Sequence, residues 1–311
     1  MVTNRSQIVR VGLLAFLLLL LPVLAVAEVE IVLKNSFIEA FKNRATINVN
    51  YIIDKAHAHP NPPKKDGDMH VAGRADEVGL PIVAEIMNAR FHSDAVDLVH
   101  QLEGTGQTVQ LSGAWRLWTE HAGIAKQVQG APLQPFDTTN PDHVFEIHPV
   151  DRLGDINLFA SFIPIEGYKP KDAHDAFQAY ETLPSQIKAN NQNKTTTIVT
   201  GMGGYNYVEF ILELNEEGTG FEVPGGRFVM AGVRDLDDEL LVRNRRMVFV
   251  KGTPPELKVR TLNKGDKMHV LGMPRIDLAL VSWRVRNAGS RPEVLTWTLP
   301  YEIIVVGVYD E

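Results

Sequence analysis

Residues 47–53 read INVNYII, with the apolar side chains at alternate positions, Ile47, Val49, Tyr51 and Ile53. Asparagine fills the two positions between the first three of them. A period of two is the pattern of a strand that buries one face and leaves the other polar. The segment therefore predicts the first strand of a β-domain, and the elements around it decide which kind.

Four more strand patterns follow this segment, and one helix pattern lies between the third strand and the fourth. The strand patterns are residues 69–73, 82–87, 109–117 and 144–150, and the helix pattern is residues 94–102. Three strands, a helix and two strands is the element order of the OB barrel, which closes a small sheet on itself and so removes its exposed edges.

The same order recurs in the second half of the chain. Strand patterns at residues 208–214, 228–233 and 245–250 precede a helix start at Thr253-Pro254-Pro255-Glu256, with threonine as the cap and proline at the first helical position. The last two strands are predicted at residues 267–285, with Pro274 as a candidate break, and at residues 299–309. We therefore expect a mainly β protein with two OB-like five-stranded barrels, each with a short helix, in domains 28–154 and 205–311. A partly helical spacer, residues 155–204, joins them.

The N-terminus resembles a secretory signal. Residues 11–27 are uncharged, they follow Arg5 and Arg10, and they end in the small-x-small site Ala25-Val26-Ala27. Seventeen residues at about 1.5 Å each fall short of a roughly 30 Å hydrocarbon core, which disfavours the alternative of a retained anchor. We expect residues 1–27 to be removed, the mature protein to work in the periplasm or outside the cell, and no membrane span to remain.

Composition limits the chemistry. The chain has no cysteine, which excludes disulfides, thiol nucleophiles and thiolate zinc sites. The formal net charge of -7 argues against a protein that coats nucleic acid over its whole surface.

Histidines suggest a metal site in the first domain, since nine of the ten lie between His57 and His174. Imidazole together with carboxylates suits zinc or a similar divalent ion, and calcium is the other candidate. The candidate ligands are His57, His59, Asp66, Asp68, His70, Glu146 and His148. The alternative is structural: Asp66-Gly67-Asp68 is an ordinary turn, and His148 hydrogen-bonds a loop.

The tripeptide Asp66-Gly67-Asp68 resembles thermonuclease-like proteins, OB-fold phosphodiesterases that hold a metal with an Asp-Gly-Asp-Thr segment. Met69 stands at the threonine position, and Arg74 and Glu85 are the candidates for the arginine and glutamate of that family. The resemblance implies a metal-dependent phosphodiesterase or nuclease, with the metal polarising phosphate and activating water.

Residues 47–153 as a whole resemble exported bacterial OB-type proteins of unassigned function. The shared pattern pairs Asp-Gly-Asp-x-His, here residues 66–70, with Glu-Ile/Leu-His-Pro-Val, here residues 146–150. This resemblance implies a fold and no activity.

Charge is unevenly distributed in the second domain. Residues 243–291 hold 12 basic and 3 acidic residues, whereas residues 205–242 hold 9 acidic and 2 basic ones. One interpretation is a basic barrel face for single-stranded nucleic acid or another anionic polymer, with Trp283 and Trp297 as stacking platforms. The other is that the strands neutralise each other, with Trp283 in the core. The candidate polymer-binding residues are Arg243, Arg245, Arg246, Arg284, Arg286 and Trp283.

The leading hypothesis is an exported, non-enzymatic binding or scaffolding protein, because OB barrels bind oligonucleotides and oligosaccharides on strands two and three. Its partner would be an oligosaccharide, an anionic polymer or a protein. Metal-dependent phosphodiester hydrolysis and single-stranded nucleic acid binding are the alternatives, and no catalytic residue is assigned.

Overall fold

The computed structural model describes residues 28–288, 293–296 and 298–309. The predicted signal segment, Trp297 and Arg291 lie outside this range. Its strands are β1 Val29–Lys34, β2 Thr46–Ala56, β3 Met69–Arg74, β4 Ile82–Ile86, β5 Thr108–Leu117, β6 Gln127–Val128, β7 Phe145–Leu153, β8 Ile156–Asn157, β9 Lys171–Asp172, β10 Ser185–Asn190, β11 Thr195–Thr200, β12 Val208–Leu214, β13 Phe221–Val223, β14 Gly226–Arg234, β15 Leu240–Val250, β16 Lys267–Ile276, β17 Glu293–Thr296 and β18 Tyr301–Val308. Its helices are α1 Asn35–Phe41, α2 Ser93–Leu102, α3 Ala173–Thr182, α4 Pro254–Val259 and α5 Leu278–Asn287. Within this part of the chain, no helix has the length and apolar character needed to cross a membrane.

The first barrel closes as predicted. Its strands run in the order β2, β3, β4, β7, β5, and β5 pairs back onto β2. The pairing of β4 with β7 is parallel, and the others are antiparallel. Helix α2 lies between the third and fourth strands along the chain. This is the OB topology, and it brings the start of β3 next to β7.

The second barrel repeats that topology with β12, β14, β15, β18 and β16. Here the third and fifth strands, β15 and β18, make the parallel pair, and β12 closes the sheet by pairing with both β14 and β16. Helix α4 again lies between the third and fourth strands. The expectation of two OB-like barrels is therefore confirmed.

A third sheet, not predicted, joins segments from across the chain in the order β17, β10, β11, β1, β6. Strand β1 comes from the first residues described, β10 and β11 come from the region expected to be a spacer, and β17 lies near the C-terminus. Strand β6 lies between β5 and β7 in the chain, so four distant stretches contribute to one structural element.

The predicted strand 267–285 was wrong in its second half, where the structure has helix α5. Asp277 ends the extended segment because its carboxylate accepts the backbone N–H groups of Ala279 and Leu280 and so caps the helix. Trp283 consequently lies on a helix and is 56% exposed, so the alternative that placed it in the core was also wrong.

The barrels pack against each other through their outer faces. An apolar cluster between them includes Ala114 of β5, Leu271 of β16 and Ile304 of β18. Beside it, the buried guanidinium of Arg275 lies 3.6 Å above the ring centre of Trp115 and donates to the Trp115 carbonyl across the junction. The part of the first barrel's outer face that lies at this junction is thus internal to the molecule.

Candidate metal site between the barrels

The candidate site lies on the outer face of the first barrel, on strands β3, β4 and β7. In β4 the side chains of Ile82, Ala84 and Ile86 fill the barrel core. Because strand side chains alternate, Glu85 points to the opposite face. The same alternation in β7 places Glu146 and His148 outside the barrel, where the second barrel and its leading segment cover them.

Three potential ligands converge there. One ligand atom from each of Asp68, Glu85 and His148 lies within 4.8 Å of the other two. Asp68 and His148 are fully buried, and Glu85 is 2% exposed. Two carboxylates and an imidazole form a donor set suited to zinc or another divalent transition-metal ion.

Each of these residues also has a buried atom with no hydrogen-bond partner among the described residues: Asp68 Oδ1, Glu85 Oε2 and His148 Nδ1. The His148 Nδ1 atom lies 3.4 Å from Glu85 Oε2. A charge-assisted hydrogen bond would be about 2.7–2.9 Å. Ligands on a tetrahedral ion with bonds of about 2.0–2.1 Å are separated by roughly 3.3 Å. The spacing therefore fits ligands around one ion better than a closed ion pair.

Tyr207 orients His148 from the far side. Its hydroxyl donates to Asp68 Oδ2 at 2.7 Å and lies 2.8 Å from His148 Nε2. With the tyrosine proton directed at Asp68, Nε2 must carry hydrogen and donate to the tyrosine oxygen. Nδ1 is then the ring atom that faces Glu85. In metal-binding histidines, a hydrogen bond from the other ring nitrogen commonly fixes the orientation of the ring in this way.

The carboxylates of the group outnumber its permanent positive charges, so protons or a cation must compensate them. Arg116 is buried and donates to Glu146 Oε2 at 2.6 Å, so one guanidinium faces three buried carboxylates, Asp68, Glu85 and Glu146. With all three carboxylates ionised and His148 neutral, two buried negative charges would be left over. A divalent cation would supply the missing charge, and burying ionised carboxylates without compensation is costly.

The pKa shifts follow from this imbalance. Burial raises the pKa of Asp68 and, with Glu146 and Asp68 nearby, that of Glu85 well above its ordinary value. Burial works against the ionisation of Glu146, but Arg116, His143 and His148 together outweigh it and hold the pKa of Glu146 well below its usual range. Burial likewise lowers the pKa of His148, but Glu85, Asp68 and Glu146 raise it to about 10. A metal would take the place of the proton on Nδ1.

The structure brings together only part of the ligand set predicted from sequence. Asp68 and His148 belong to the converging group, and His70 and Glu146 lie beside it, 3.3 Å from Glu85 and 3.5 Å from His148 respectively. His59 is exposed, and no side-chain contact joins it to the group among the residues described.

Asp66 stabilises the turn before β3 and does not belong to the converging group of Asp68, Glu85 and His148. Its Oδ1 accepts hydrogen bonds from Asn61 Nδ2 and from the backbone N–H of Asp68. Arg74, the arginine suggested by the thermonuclease resemblance, makes a two-point contact with Asp54 at 2.7 and 2.8 Å. Glu85, the glutamate of that resemblance, is in the group, and Tyr207 was not foreseen.

Two stacked histidine pairs lead to the carboxylates. His57 stacks on His70 with ring centres 4.5 Å apart, and His70 Nε2 lies 3.3 Å from Glu85 Oε2. His121 stacks on His143 at 5.3 Å, and His143 Nε2 lies 3.3 Å from Glu146 Oε1. In each pair the outer ring is partly exposed and the inner ring is more deeply buried.

A separate groove of about 500 Å³ opens on the second barrel, lined by Arg245, Arg246, Trp283 and Arg286 among others. Arg245 pairs with Glu181, and Arg246 pairs with Asp277 and Glu302. Four of the six residues predicted for polymer binding thus line the groove, although acidic neighbours compensate two of its arginines. Arg243 and Arg286 are exposed, and Arg284 donates to the Thr298 carbonyl.

The fold and the site define a two-barrel OB-type protein with a buried group of side chains of the types that can ligate a metal. No family model matches the chain, and no curated protein matches it at the significance required of a relative.

Among solved structures, a deletion mutant of the single-stranded DNA binding protein from Thermus aquaticus has 10% identity over 86% of this chain and 93% of that chain, with a TM-score of 0.22. A structure described as "Structural mimicry for functional antagonism" has 11% identity over 84% and 92%, with a TM-score of 0.18. Similarity this low carries no argument, so the OB assignment rests on the strand order and pairing.

Proposed function

We propose that this protein is an exported, non-enzymatic binding or scaffolding protein that holds a divalent cation between its barrels. The observation that supports a cation site is the convergence of Asp68, Glu85 and His148, each with a buried atom that lacks a hydrogen-bond partner among the described residues. Orphaned polar atoms are rare in folded proteins because each costs desolvation free energy. An ion would satisfy all three at once.

Burial favours a binding role over catalysis. A catalytic metal needs an open coordination position that substrate can reach. Asp68 and His148 are fully buried, and Tyr207 covers their far side. The ligand face of the first barrel, strands β3 and β4, is therefore used inside the molecule, where an ion would stabilise the junction with the second barrel.

The experiment is metal analysis of the purified mature protein together with zinc titration. We expect about one ion per chain, and a loss of at least tenfold in zinc affinity in Glu85→Gln, which keeps the shape of the side chain but removes its charge. Asp151→Asn is the matched control, because Asp151 is a buried acid on the same strand as His148 with its own partner, Ser112.

A result in which Glu85→Gln binds zinc as tightly as the parent would refute the site. Folding of the variant is checked separately by thermal unfolding without metal. There the variant should be close in stability to the parent, because glutamine keeps the shape of the side chain and burial already disfavours the charged form of Glu85.

A second candidate function is binding of single-stranded nucleic acid or another anionic polymer in the groove of the second barrel. Trp283 supports it, because a 56% exposed tryptophan beside arginines is a platform for stacking bases. Affinity for single-stranded DNA should then fall steeply with salt, and Trp283→Ala should weaken it by about 1–3 kcal/mol. A flat salt response would exclude phosphate contacts.

Metal-dependent phosphodiester hydrolysis is the other alternative, since Asp68, His148 and Glu85 do converge. It requires phosphate to reach a buried ion. Hydrolysis of bis(p-nitrophenyl) phosphate by the zinc-loaded protein, lost in Glu85→Gln, would establish it.

A further inference from the structure

A buried cation site raises the question of how the ion enters. Moving a bare ion from water into a protein interior costs several kcal/mol even after relaxation. Exchange therefore needs donor atoms along the way that replace the ion's water in steps. The two stacked histidine pairs are the candidates, because each runs from a partly exposed ring to a buried carboxylate.

The inner ring of the His57–His70 pair lies beside Glu85, a carboxylate of the proposed cation site. His70 Nε2 lies 3.3 Å from Glu85 Oε2, the atom that has no hydrogen-bond partner among the described residues. His57 Nδ1 and His70 Nδ1 are themselves buried without such a partner. The backbone N–H of His57 donates to the His70 carbonyl at 3.0 Å, which holds the two residues side by side.

The inner ring of the His121–His143 pair lies beside a different carboxylate, Glu146. His143 approaches Glu146, whose charge Arg116 already compensates at 2.6 Å. His143 Nδ1 lies 2.7 Å from the Pro141 carbonyl, so that ring is fixed by a loop contact. A cation passing this way would meet the positive guanidinium before it reached Glu85.

We infer that the His57–His70 pair is the route by which a transition-metal ion of the zinc type enters and leaves the Asp68–Glu85–His148 group. This inference rests on the proposed cation site. It adds the route by which the ion exchanges and the class of ion that the route selects. Imidazole nitrogen is a good ligand for zinc and its neighbours, whereas calcium takes oxygen ligands. A route made of histidines therefore selects against calcium.

The test measures rates and equilibrium separately on the mature protein. Metal-free protein is mixed with zinc in the presence of a fluorescent zinc indicator, release is followed after adding a chelator, and the dissociation constant is obtained by competition. The key variant is His57→Phe, which keeps a ring stacked on His70 but has no donor nitrogen. We expect it to slow loading and release at least tenfold, with the dissociation constant changed less than twofold.

Two further variants serve as controls. His59→Ala changes an exposed histidine on the same loop, and His121→Phe removes the outer donor of the other pair; both should exchange zinc at the parent rate. Unchanged or faster exchange in His57→Phe would overturn the route, as would equal slowing in His121→Phe.

Calcium at millimolar concentration should not displace zinc, and displacement would overturn the ion class. A parent protein that binds no zinc would overturn the cation site itself. Normal zinc affinity with an unchanged His57→Phe rate would overturn only the route.

Discussion

Arg275 shows how much one side chain can contribute to the junction between the barrels. Its guanidinium is fully buried, pairs with Glu302 Oε1 at 2.7 Å and donates to the carbonyls of Arg44, Ala45 and Trp115. The donors of one residue therefore satisfy an acid of the second barrel and three carbonyls of the first.

We predict that Arg275→Met lowers the free energy of unfolding by about 3 kcal/mol, because it leaves buried acceptors and part of the Glu302 charge uncompensated. Urea unfolding followed by circular dichroism measures this change. The control is Lys251→Met, which removes an exposed ion pair with Glu222 and should cost less than about 1 kcal/mol. Similar losses in the two variants would contradict the argument.

Asp277 provides a pH-dependent contribution at the same junction. Burial, and then the neighbouring Glu302, raise its pKa to about 6, although Arg246 and two backbone N–H groups favour the charged form. An unfolded aspartate has a pKa of about 3.9. Between these values the folded state binds the proton more tightly, so ionisation of Asp277 removes stability as the pH rises.

We predict that Asp277→Asn removes this part of the pH dependence. The free energy of unfolding of the variant minus that of the parent should increase as the pH rises from about 4 to about 6, and it should be constant above that range. Denaturant unfolding of both proteins across pH 3.5–8 tests this. A difference that is flat or that falls over the window would show that the pKa of Asp277 is not raised.

Sequence patterns revealed some residues of the site and concealed others. Asp68 and His148 were visible because a turn motif and a histidine-proline segment marked them. Glu85 was less visible as a ligand because its neighbours in β4 are all apolar, although a lone carboxylate in such a strand is itself a signal of a buried partner. Tyr207 could not be found, since it depends on how the second half of the chain packs on the first.

At the level of elements, the strand β5 makes a close approach to β7. A Cβ on Gly113 would lie 2.4 Å from the Pro149 carbonyl oxygen and 2.8 Å from the Val150 Cα. The glycine sits at an irregularity in the β5–β7 register, next to the strand that presents His148. The close approach therefore depends on the absence of a side chain.

We predict that Gly113→Ala costs about 1–3 kcal/mol, because a backbone rather than a flexible side chain must move. It should also weaken zinc binding, since β7 carries His148. Thermal unfolding and zinc titration measure the two effects. Gly204→Ala is the control, as its added Cβ meets no atom within 4 Å. Unchanged zinc affinity in Gly113→Ala would mean that β7 holds the ligands independently of its neighbour.

The elements that sequence predicted well are those whose neighbours lie close in the chain or whose periodicity is clear. The barrel strands have this property. Two elements were not predicted, for different reasons. Strand β1 pairs with β11, which is about 165 residues away in the chain. Helix α5 follows strand β16 almost directly, so neither a turn nor a change in the polarity pattern marks its start.

The residues Ser36-Phe37-Ile38-Glu39 have the sequence of a capping box but do not act as one. Helix α1 already includes Asn35, so Ser36 lies inside it, and Glu39 bonds Lys42 and Ser282 instead of capping the helix. A motif of four residues was overridden by a contact with α5, which lies almost 250 residues further along the chain.

At the scale of the whole molecule, the two barrels and the third sheet are tied together in three ways. Strands β1 and β11 join the N-terminal segment to the middle region, and β10 joins that region to β17. Arg116 of the first barrel donates to the Pro274 carbonyl of the second at 3.0 Å. Tyr207, which precedes the second barrel, bonds Asp68 and His148 of the first.

These links predict that the protein unfolds as one cooperative unit, although its chain is long enough for two domains. Scanning calorimetry should show a single transition, with a calorimetric enthalpy close to the van't Hoff enthalpy. Zinc should shift the whole transition upward, because an ion that binds only the folded state stabilises every part that unfolds with its site. Two separate transitions, with zinc raising only one, would mean that the barrels fold independently and that the cation belongs to the first barrel alone.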